Sequence, residues 1–514
     1  MIHKSYSELM KEIAPERLYY GLLAHGLFNE KLPPIFSSVN FFDYCQNQTN
    51  KLNNIKSTYI FYENMREINI PRQLGIPNPI AYQQLCKCLS DNWYRICDHF
   101  DKFTSFQSYK ISRTHIRKLR NKQTLFEMNY KRWQIDGDPE PDLMIDKKYL
   151  VKSDITKCFP SIYTHSLPWA LVGKSTAKAN RSHNFWYNEI DYYTQNLRNG
   201  ETHGLMIGPH ASNLLSEIIL TVVDYNLFQK GWDSFIRYID DYSCYVESYN
   251  DGQRFISDLS DELRNFDLTI NYSKNSISKL PIASTKHWKR QINAIKRKNK
   301  NEIMNYTEIQ AYLDNVIEIM NNNDTLSSIL NYAIKVLSSQ KMTDNAREYY
   351  VKTILHYATI YPYLIPLLEK YVFKNCKLNS QIITKFTNKI FKDGIQCNYI
   401  DEICFSLYYA LKYNVILTNE KGEIDSILDS NNCIILLLGY LYMKKQKNKT
   451  ACKKLIDNAY RLSINNDDDF GQYWLFIYEL LPKSKLRGVW KDMKDKGVTF
   501  LKQGAFKNGK QSTS

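Results

Sequence analysis

The sequence lacks the cysteine spacing of a structural metal site. Its 514 residues contain 11 cysteines, an odd number, and none of them form a C-x-x-C pair. The closest two, Cys86 and Cys88, have the wrong spacing for a zinc knuckle. Free thiols are typical of proteins in a reducing cytoplasm. We therefore expect a cytoplasmic protein with unpaired cysteines.

Long hydrophobic runs are also missing. A membrane-spanning helix needs ~18 or more uninterrupted apolar residues, and the apolar run CIILLLGYLYM at 433–443 is shorter than that. The first residues, MIHKSYSELMKEIAPERL, carry charges throughout, unlike a signal peptide. The sequence therefore indicates a soluble intracellular protein with no membrane partner.

Motifs of other catalytic classes are absent too. No G-x-x-x-x-G-K-[ST] loop marks a P-loop ATPase. His165, His203 and His210 lack the spacing of metal ligands, so we interpret them as structural histidines.

Positive charge is in excess. The chain has 68 Lys and Arg against 53 Asp and Glu, a net charge of +15, which favours a polyanionic partner such as nucleic acid. The alternative is a lysine-rich composition caused by AT-rich coding, which would also explain the 39 tyrosines. With 43% apolar residues, the chain is long enough for two or three globular domains.

The pattern of predicted secondary structure changes near residue 300. Turns, short strand-like runs and helices alternate over 1–290, whereas 300–514 shows apolar residues at i, i+3, i+4 and i+7. The second region predicts successive antiparallel helices like a HEAT-type solenoid, without a clean repeat. The segment 286–300 has seven basic residues and no acidic one. It is either a solvated linker or one wall of a nucleic-acid channel.

Two adjacent aspartates stand out in IRYIDDYSCYV at 236–246. Alternation around Asp240 and Asp241 predicts a β-hairpin with both aspartates at its tip. Asp154, in YLVKSDITKCFPSI, lies near the end of another predicted strand. Strand ends that converge on one cleft would place these carboxylates on two Mg²⁺ ions ~3.5–4 Å apart, the arrangement used in nucleotidyl transfer.

A lone Tyr-x-Asp-Asp is usually an exposed turn, but here four segments follow in order. They are SDITKCFPSI, GLMIGPHASNLLSEI at 204–218, RYIDDY and LTINYSKNSI at 268–277. This order resembles palm motifs A to D of reverse transcriptases. The segments YTHSLPWALVGKSTAKANR and ETHGLMIGPHASNLLSEI and the helical second half resemble one branch, the abortive-infection (Abi) polymerases of bacterial phage defence.

The resemblance implies an α+β fold, with fingers and palm over 1–290 and an all-α HEAT-like domain over 300–514. It implies that Asp154, Asp240 and the less critical Asp241 bind two Mg²⁺ ions, with Mn²⁺ able to substitute. The backbone carbonyl of Ile155 is an expected further ligand.

Other roles follow from the same resemblance. Phe159 matches the aromatic gate that excludes a 2′-hydroxyl, which implies dNTP substrates; a core Phe beside Pro160 is the alternative. Lys274 matches the motif D lysine that can protonate the departing pyrophosphate; an exposed surface lysine is the alternative. Gly208 is expected at the nucleotide.

Basic residues of the fingers should hold the triphosphate. Arg72 in INIPRQLGIP is one candidate, and Lys110 and Arg113 in a run of six basic residues at 110–122 are others. Solvated basic helices would give the same pattern.

Motif B departs from the Pro-Gln-Gly step of template-copying enzymes, since Gly208-Pro209 and His210 stand there. Ordinary template reading is thereby in doubt. By resemblance we expect untemplated, protein-primed synthesis in which single-stranded DNA becomes covalently attached to a tyrosine. Tyr6 and Tyr59 are the first candidates, and a homo-oligomer is expected.

The leading hypothesis is therefore an antiphage DNA polymerase with a reverse-transcriptase-like site. The alternatives are a templated reverse transcriptase and an inactive nucleic-acid-binding scaffold. We also expect the helical half to pack beside the palm and to bound the product channel.

Overall fold

The chain folds as a mostly helical α+β protein. The computed structural model describes residues 4–48, 52–67, 70–119, 125–128, 132–295, 302–323, 326–375, 379–418 and 422–504. Strands and helices alternate up to residue 295, and nearly all regular structure after residue 305 is helical. The predicted α+β class is confirmed.

Within these residues the strands are β1 (Ile60–Glu67), β2 (Ile70–Ile76), β3 (Thr114–Ile116), β4 (Phe126–Met128), β5 (Tyr149–Asp154), β6 (Phe235–Tyr238), β7 (Asp241–Val246), β8 (Ser276–Lys279), β9 (Ile303–Met304) and β10 (Lys341–Met342).

The helices of the first region are α1 (Tyr6–Lys11), α2 (Pro15–Leu23), α3 (Val39–Gln46), α4 (Pro79–Asp91), α5 (Trp93–Thr104), α6 (Trp133–Asp136), α7 (Glu140–Leu143), α8 (Cys158–Ser161), α9 (Ser166–Val172), α10 (Lys174–Ala179), α11 (Trp186–Asn196), α12 (His210–Gln229), α13 (Tyr249–Arg264) and α14 (His287–Ile295). Those of the second region are α15 (Tyr306–Asn321), α16 (Ser327–Leu337), α17 (Asp344–Ile360), α18 (Ile365–Tyr371), α19 (Ser380–Cys397), α20 (Ile400–Tyr413), α21 (Glu423–Leu428), α22 (Cys433–Lys445), α23 (Lys449–Asn465), α24 (Asp467–Leu480) and α25 (Gly488–Asp495). Short 3₁₀ turns lie at Tyr272–Lys274, Pro362–Leu364, Phe373–Asn375 and Lys483–Lys485.

A four-stranded antiparallel sheet organises the first region. Its order is β6-β7-β5-β8, so that β5 is paired on both sides. The two-residue loop Ile239–Asp240 joins β6 to β7. The strand predicted around 148–155 and the hairpin predicted at 236–246 are both confirmed.

Helix α12 packs against this sheet and is buried along most of its 20 residues. Two of its buried side chains are acidic, and both pair with Arg237 of β6. The Arg237 guanidinium donates to Glu217 at 2.8 Å and to Asp224 at 2.7 Å. Buried charges are tolerated when they are paired and hydrogen-bonded in this way.

A separate antiparallel hairpin is formed by β1 and β2. The Gly75 amide donates to the Ile207 carbonyl at 2.9 Å, which ties the base of this hairpin to the segment before α12. Below, this element is called the β1–β2 hairpin.

The second region is an array in which each helix packs on its near neighbours in sequence. Helix α15 contacts α16 and α17, α19 contacts α20, and α22 contacts both α20 and α24. Asparagine caps such as Asn305, whose side chain accepts from Glu308 N, start several of these helices. The HEAT-like interpretation and the domain limits 1–290 and 300–514 stay predictions.

The helical region packs against the first region. Helices α20, α22 and α24 contact β1, and Tyr44 of α3 donates to Asp492 of α25 at 2.6 Å. These contacts involve β1 and α3, and the expectation that the helical half packs beside the palm and bounds a product channel stays a prediction. Of the basic segment 286–300, residues 287–295 form α14, and 296–300 lie outside the described residues.

No helix in the described part of the chain combines the length and the hydropathy of a membrane span.

Glu402 gives a stability prediction. Burial raises its pKa to about 8, and the carboxylates of Asp393 and Asp401 add to the shift. Because the folded pKa exceeds the ordinary value of 4.5, the neutral form is favoured in the fold, and stability falls as the pH rises from 4.5 towards 8. We expect Glu402→Gln to abolish this loss of stability, which amounts to about 1.4 kcal/mol for each unit by which the pKa in the fold exceeds the ordinary value.

The measurement is urea unfolding of both proteins between pH 5 and pH 9. The free energy of unfolding of Glu402→Gln should increase relative to that of the parent protein as the pH rises. That of the exposed control Glu318→Gln should not. Parallel pH profiles for Glu402→Gln and the parent would contradict the assignment.

Candidate active site

Three carboxylates meet at one end of the central sheet. Asp154 ends β5 and lies directly opposite Asp241, the first residue of β7. Asp240 occupies the loop just before Asp241, and its carbonyl accepts from Ile155 N at 3.2 Å. The fold therefore brings together the three aspartates that the sequence singled out.

These carboxylates repel one another. Burial raises the pKa of Asp240, and Asp154 and Asp241 raise it further. Burial also raises the pKa of Asp241, with Asp154 as the next cause. Neighbouring carboxylates that raise one another's pKa, as at Asp240 and Asp241, favour the binding of cations.

Lys274 supplies one positive charge. Its ammonium group forms an ion pair with the Asp154 carboxylate, and this hydrogen bond raises the pKa of Lys274. The lysine side chain is 59% exposed, so it lies at the solvent edge of the carboxylate group.

The loop that presents Asp240 has an unusual backbone. Ile239 has φ of 60°, a left-handed conformation that is rare for a β-branched residue. Arg237 Nη1 donates to the Ile239 carbonyl at 2.9 Å. The same guanidinium that holds Glu217 and Asp224 therefore stabilises the loop.

The donor set fits a hard divalent cation such as Mg²⁺, because it consists of carboxylate oxygens with little compensating charge. Asp154 is 6% exposed, whereas the Asp241 side chain is only partly covered and keeps access to solvent. Among the described residues, no three His, Cys, Asp or Glu side chains are gathered tightly enough to hold an ion as they stand. The expected Ile155 ligand adjoins this group, since Ile155 follows Asp154.

Phe159 and Gly208 lie on neighbouring segments. Phe159 is half-buried in α8, and its carbonyl accepts from Leu205 N at 2.7 Å. Gly208 has φ of 137°, and a Cβ atom there would lie 2.9 Å from the Gly75 carbonyl oxygen. The segment that contains Gly208 thus runs against the β1–β2 hairpin at a distance that only glycine permits.

Two arginines of the β1–β2 hairpin, Arg66 and Arg72, interact electrostatically with the carboxylates. Burial and Arg66 lower the pKa of Arg72, while Asp240 raises it. Arg66 in turn lowers the pKa of Asp241. Sequence reasoning found Arg72 but missed Arg66, although both occupy the same basic stretch, MREINIPR.

The structure corrects the triphosphate-binding role predicted for Lys110 and Arg113. Lys110 is 6% exposed and pairs with Asp136, and Arg113 is 0% exposed and donates to the Gly137 carbonyl at 2.8 Å. Both cations are satisfied inside the protein, so the expectation that they bind a triphosphate is wrong. Residues 120–122 of that basic run lie outside the described part.

The two candidate priming tyrosines differ. Tyr6 is 4% exposed, and its hydroxyl donates to the Thr114 carbonyl at 2.9 Å and to Glu217 at 3.3 Å. This burial argues against Tyr6 as a nucleophile. Tyr59 is half-buried beside Gly75, with the Arg198 guanidinium 5.7 Å from its ring centre, and its role stays a prediction.

The histidines of the sequence have structural surroundings. His165 pairs with Asp191, which raises the pKa of its imidazole. His203 lies with its ring 5.0 Å from that of Tyr163. His210 begins α12, where burial lowers its pKa.

No family model and no curated protein matches this chain. Solved structures of telomerase are similar to it at low scores. Apo telomerase from Candida tropicalis is 10% identical with a TM-score of 0.32, over 81% of this chain and 72% of that one. Telomerase from Candida albicans, in complex with a fragment of telomeric RNA, is 12% identical with a TM-score of 0.28, over 80% and 67%.

A third structure is apo telomerase from Candida tropicalis truncated from its C-terminal domain. It is 13% identical with a TM-score of 0.28, over 48% of this chain. The match spans about half the length of that telomerase, 54%. Scores of this size do not establish a shared fold.

Gly208 gives a prediction about the approach of the β1–β2 hairpin. We expect Gly208→Ala to lower the thermal unfolding midpoint, because the new methyl group would meet the Gly75 carbonyl. The matched control is Gly173→Ala, which also has positive φ, 89°, but open space around its Cβ. Gly208→Ala should cost about 1–3 kcal/mol beyond the control. Equal shifts for the two variants would contradict the close approach.

Proposed function

We propose that this protein is a nucleotidyltransferase with a reverse-transcriptase-like active site that makes DNA from dNTPs. The observation that carries the proposal is the register of the sheet, which places Asp154 opposite Asp241 with Asp240 in the adjoining loop. The arginines of the β1–β2 hairpin face the same carboxylates electrostatically. Opposite charges arranged in this way suit a nucleoside triphosphate with its bound cations.

The three aspartates would hold two Mg²⁺ ions, for which Mn²⁺ can substitute. When bound, the ions would lower the pKa of the attacking hydroxyl and neutralise charge on the phosphates. In the reaction, the oxygen of that hydroxyl bonds to the α-phosphorus while its proton passes to solvent. The bond between the α-phosphorus and the bridging oxygen breaks, and pyrophosphate leaves.

The side chains around the carboxylates have distinct roles in this proposal. Arg66 and Arg72 hold the triphosphate through charge-assisted hydrogen bonds. Lys274 is positioned at the solvent edge, where its ammonium group can give a proton to the leaving pyrophosphate. Phe159 supports the sugar, and its bulk excludes a 2′-hydroxyl.

The finer proposal is an antiphage enzyme of the abortive-infection type. Its support is the sequence at motif B, where Gly208-Pro209-His210 replaces the usual step of template-copying enzymes. His210 is half-buried at the start of α12, which limits its contact with a template base. We therefore propose untemplated synthesis primed on a tyrosine hydroxyl, giving single-stranded DNA attached to a cytoplasmic homo-oligomer.

Asp240→Asn tests the carboxylate site. We expect incorporation of labelled dNTP to fall by at least about a hundredfold, because a metal-binding charge is lost. The thermal midpoint should stay level or rise, since one of three mutually repelling carboxylates is neutralised. The control is Asp142→Asn, an exposed aspartate of α7. Unchanged incorporation in Asp240→Asn would sink the proposal and favour an inactive scaffold.

The mode of priming needs its own experiment. Purified protein is incubated with Mg²⁺ and each labelled dNTP, without primer or template, and run on a denaturing gel with and without protease. We expect label that stays with the protein until proteolysis, after which peptide mapping identifies the tyrosine. Product that forms only after an RNA template and a primer are added would instead favour a templated reverse transcriptase.

A further inference from the structure

A buried aspartate of the helical region binds the β1–β2 hairpin. Asp401 of α20 is 2% exposed. Its Oδ1 accepts from the Tyr62 hydroxyl at 2.5 Å, and its Oδ2 accepts from Asn64 Nδ2 at 2.7 Å and from Met65 N at 3.3 Å. The Asp401 carboxylate thus binds three residues of β1.

Both oxygens of the Asp401 carboxylate accept hydrogen bonds in this contact. Asn64 and Met65 offer N–H groups to the same oxygen, and the Tyr62 hydroxyl donates to the other. An asparagine at position 401 would lose the negative charge, keep one acceptor oxygen and turn an N–H group towards the donors on the other side. Because the contact is buried, the unpaired donors would have no water to replace the lost bonds.

Asp401 binds the part of the hairpin that carries the active-site arginines. Asn64 lies directly opposite Arg72 in the antiparallel register, so their side chains share one face of the hairpin. Arg66 follows Met65 in sequence. Asp401 therefore binds the residue paired with Arg72, which is Asn64, and the residue next to Arg66, which is Met65.

The position of these arginines matters to the site, because the hairpin that carries them packs against a segment next to the carboxylates. Gly75 N of the hairpin donates to the Ile207 carbonyl at 2.9 Å, and Leu205 N of the same segment donates to the Phe159 carbonyl at 2.7 Å, five residues after Asp154. A shift of the hairpin would move both cations relative to Asp240 and Asp241. Distance enters such charge interactions directly.

We propose that Asp401 is a positioning residue, through which the helical region sets the placement of the triphosphate-binding arginines. This inference rests on the proposed nucleotidyl transfer. It gives the helical region a part in substrate binding: its packing determines how well a nucleoside triphosphate is held.

Asp401→Asn is the first test. Amide hydrogen exchange over residues 60–76 should become faster, because β1 loses its buried anchor. The dissociation constant and the KM for a dNTP should rise about tenfold, with kcat less affected, since ground-state binding is weakened. Assays at pH 8 keep Asp401 ionised, because burial raises its pKa only to about 6.

Two further variants make the test specific. The control Asp492→Asn removes another aspartate contact between the regions, with Tyr44 and Gln48, away from the β1–β2 hairpin. The rescue variant combines Asp401→Asn with Asn64→Asp, which exchanges donor and acceptor across the contact. The rescue should recover much of the lost dNTP affinity, whereas Asp492→Asn should leave it unchanged. If Asp401→Asn does not fold, Tyr62→Phe removes a single hydrogen bond and serves instead.

The outcomes separate the two proposals. Unchanged exchange over 60–76 in Asp401→Asn would overturn the anchor, and faster exchange with unchanged dNTP affinity would overturn the positioning role. An equal loss of affinity in Asp492→Asn would make the effect a general one of region packing and would also overturn it. If the parent protein binds no dNTP, the proposed function and the positioning role both fail, while the exchange data still decide whether Asp401 anchors the hairpin.

Discussion

The candidate site depends on one buried guanidinium. Arg237 is 0% exposed and binds two carboxylates of α12 together with the Ile239 carbonyl. Without this cation, Glu217 and Asp224 would be buried and uncompensated, a change that costs about 3–5 kcal/mol in comparable pairs. The loop that carries Asp240 would also lose the donor that stabilises its left-handed residue. Arg237 therefore holds the sheet, helix α12 and the loop that carries Asp240 together.

The β1–β2 hairpin, which carries Arg66 and Arg72, is held by other contacts. The β1–β2 hairpin contacts the Gly208 segment at its base, through Gly75 N and the Ile207 carbonyl. Further along β1, it binds the helical region through Asp401. The carboxylates thus belong to a sheet with its own buried network, whereas the arginines belong to an element shared by both regions. The distance between the arginines and the carboxylates therefore depends on a contact with each region.

Local sequence patterns were sufficient for the carboxylate side of the site. Alternation around Asp154 and around Asp240 predicts strands, and strand pairing then brings the aspartates together. The basic side was less predictable. Lys110 lies in a charged run that reads like a solvated surface, and only the folded chain reveals its pairing with Asp136. The burial of Tyr6 and the contact of Asp401 could not be inferred from the sequence for the same reason, since their partners lie 108 or more residues away.

The contacts between distant parts of the chain have a consequence for folding during synthesis. Phe28 and Phe41 pack against Phe500, with ring centres 6.2 Å and 5.6 Å apart, and Ser37 N donates to the Phe500 carbonyl at 2.8 Å. These early residues are translated more than 450 positions before their partner. Their apolar surface stays uncovered while the ribosome completes almost all of the chain, a period in which such surfaces attract chaperones or aggregate.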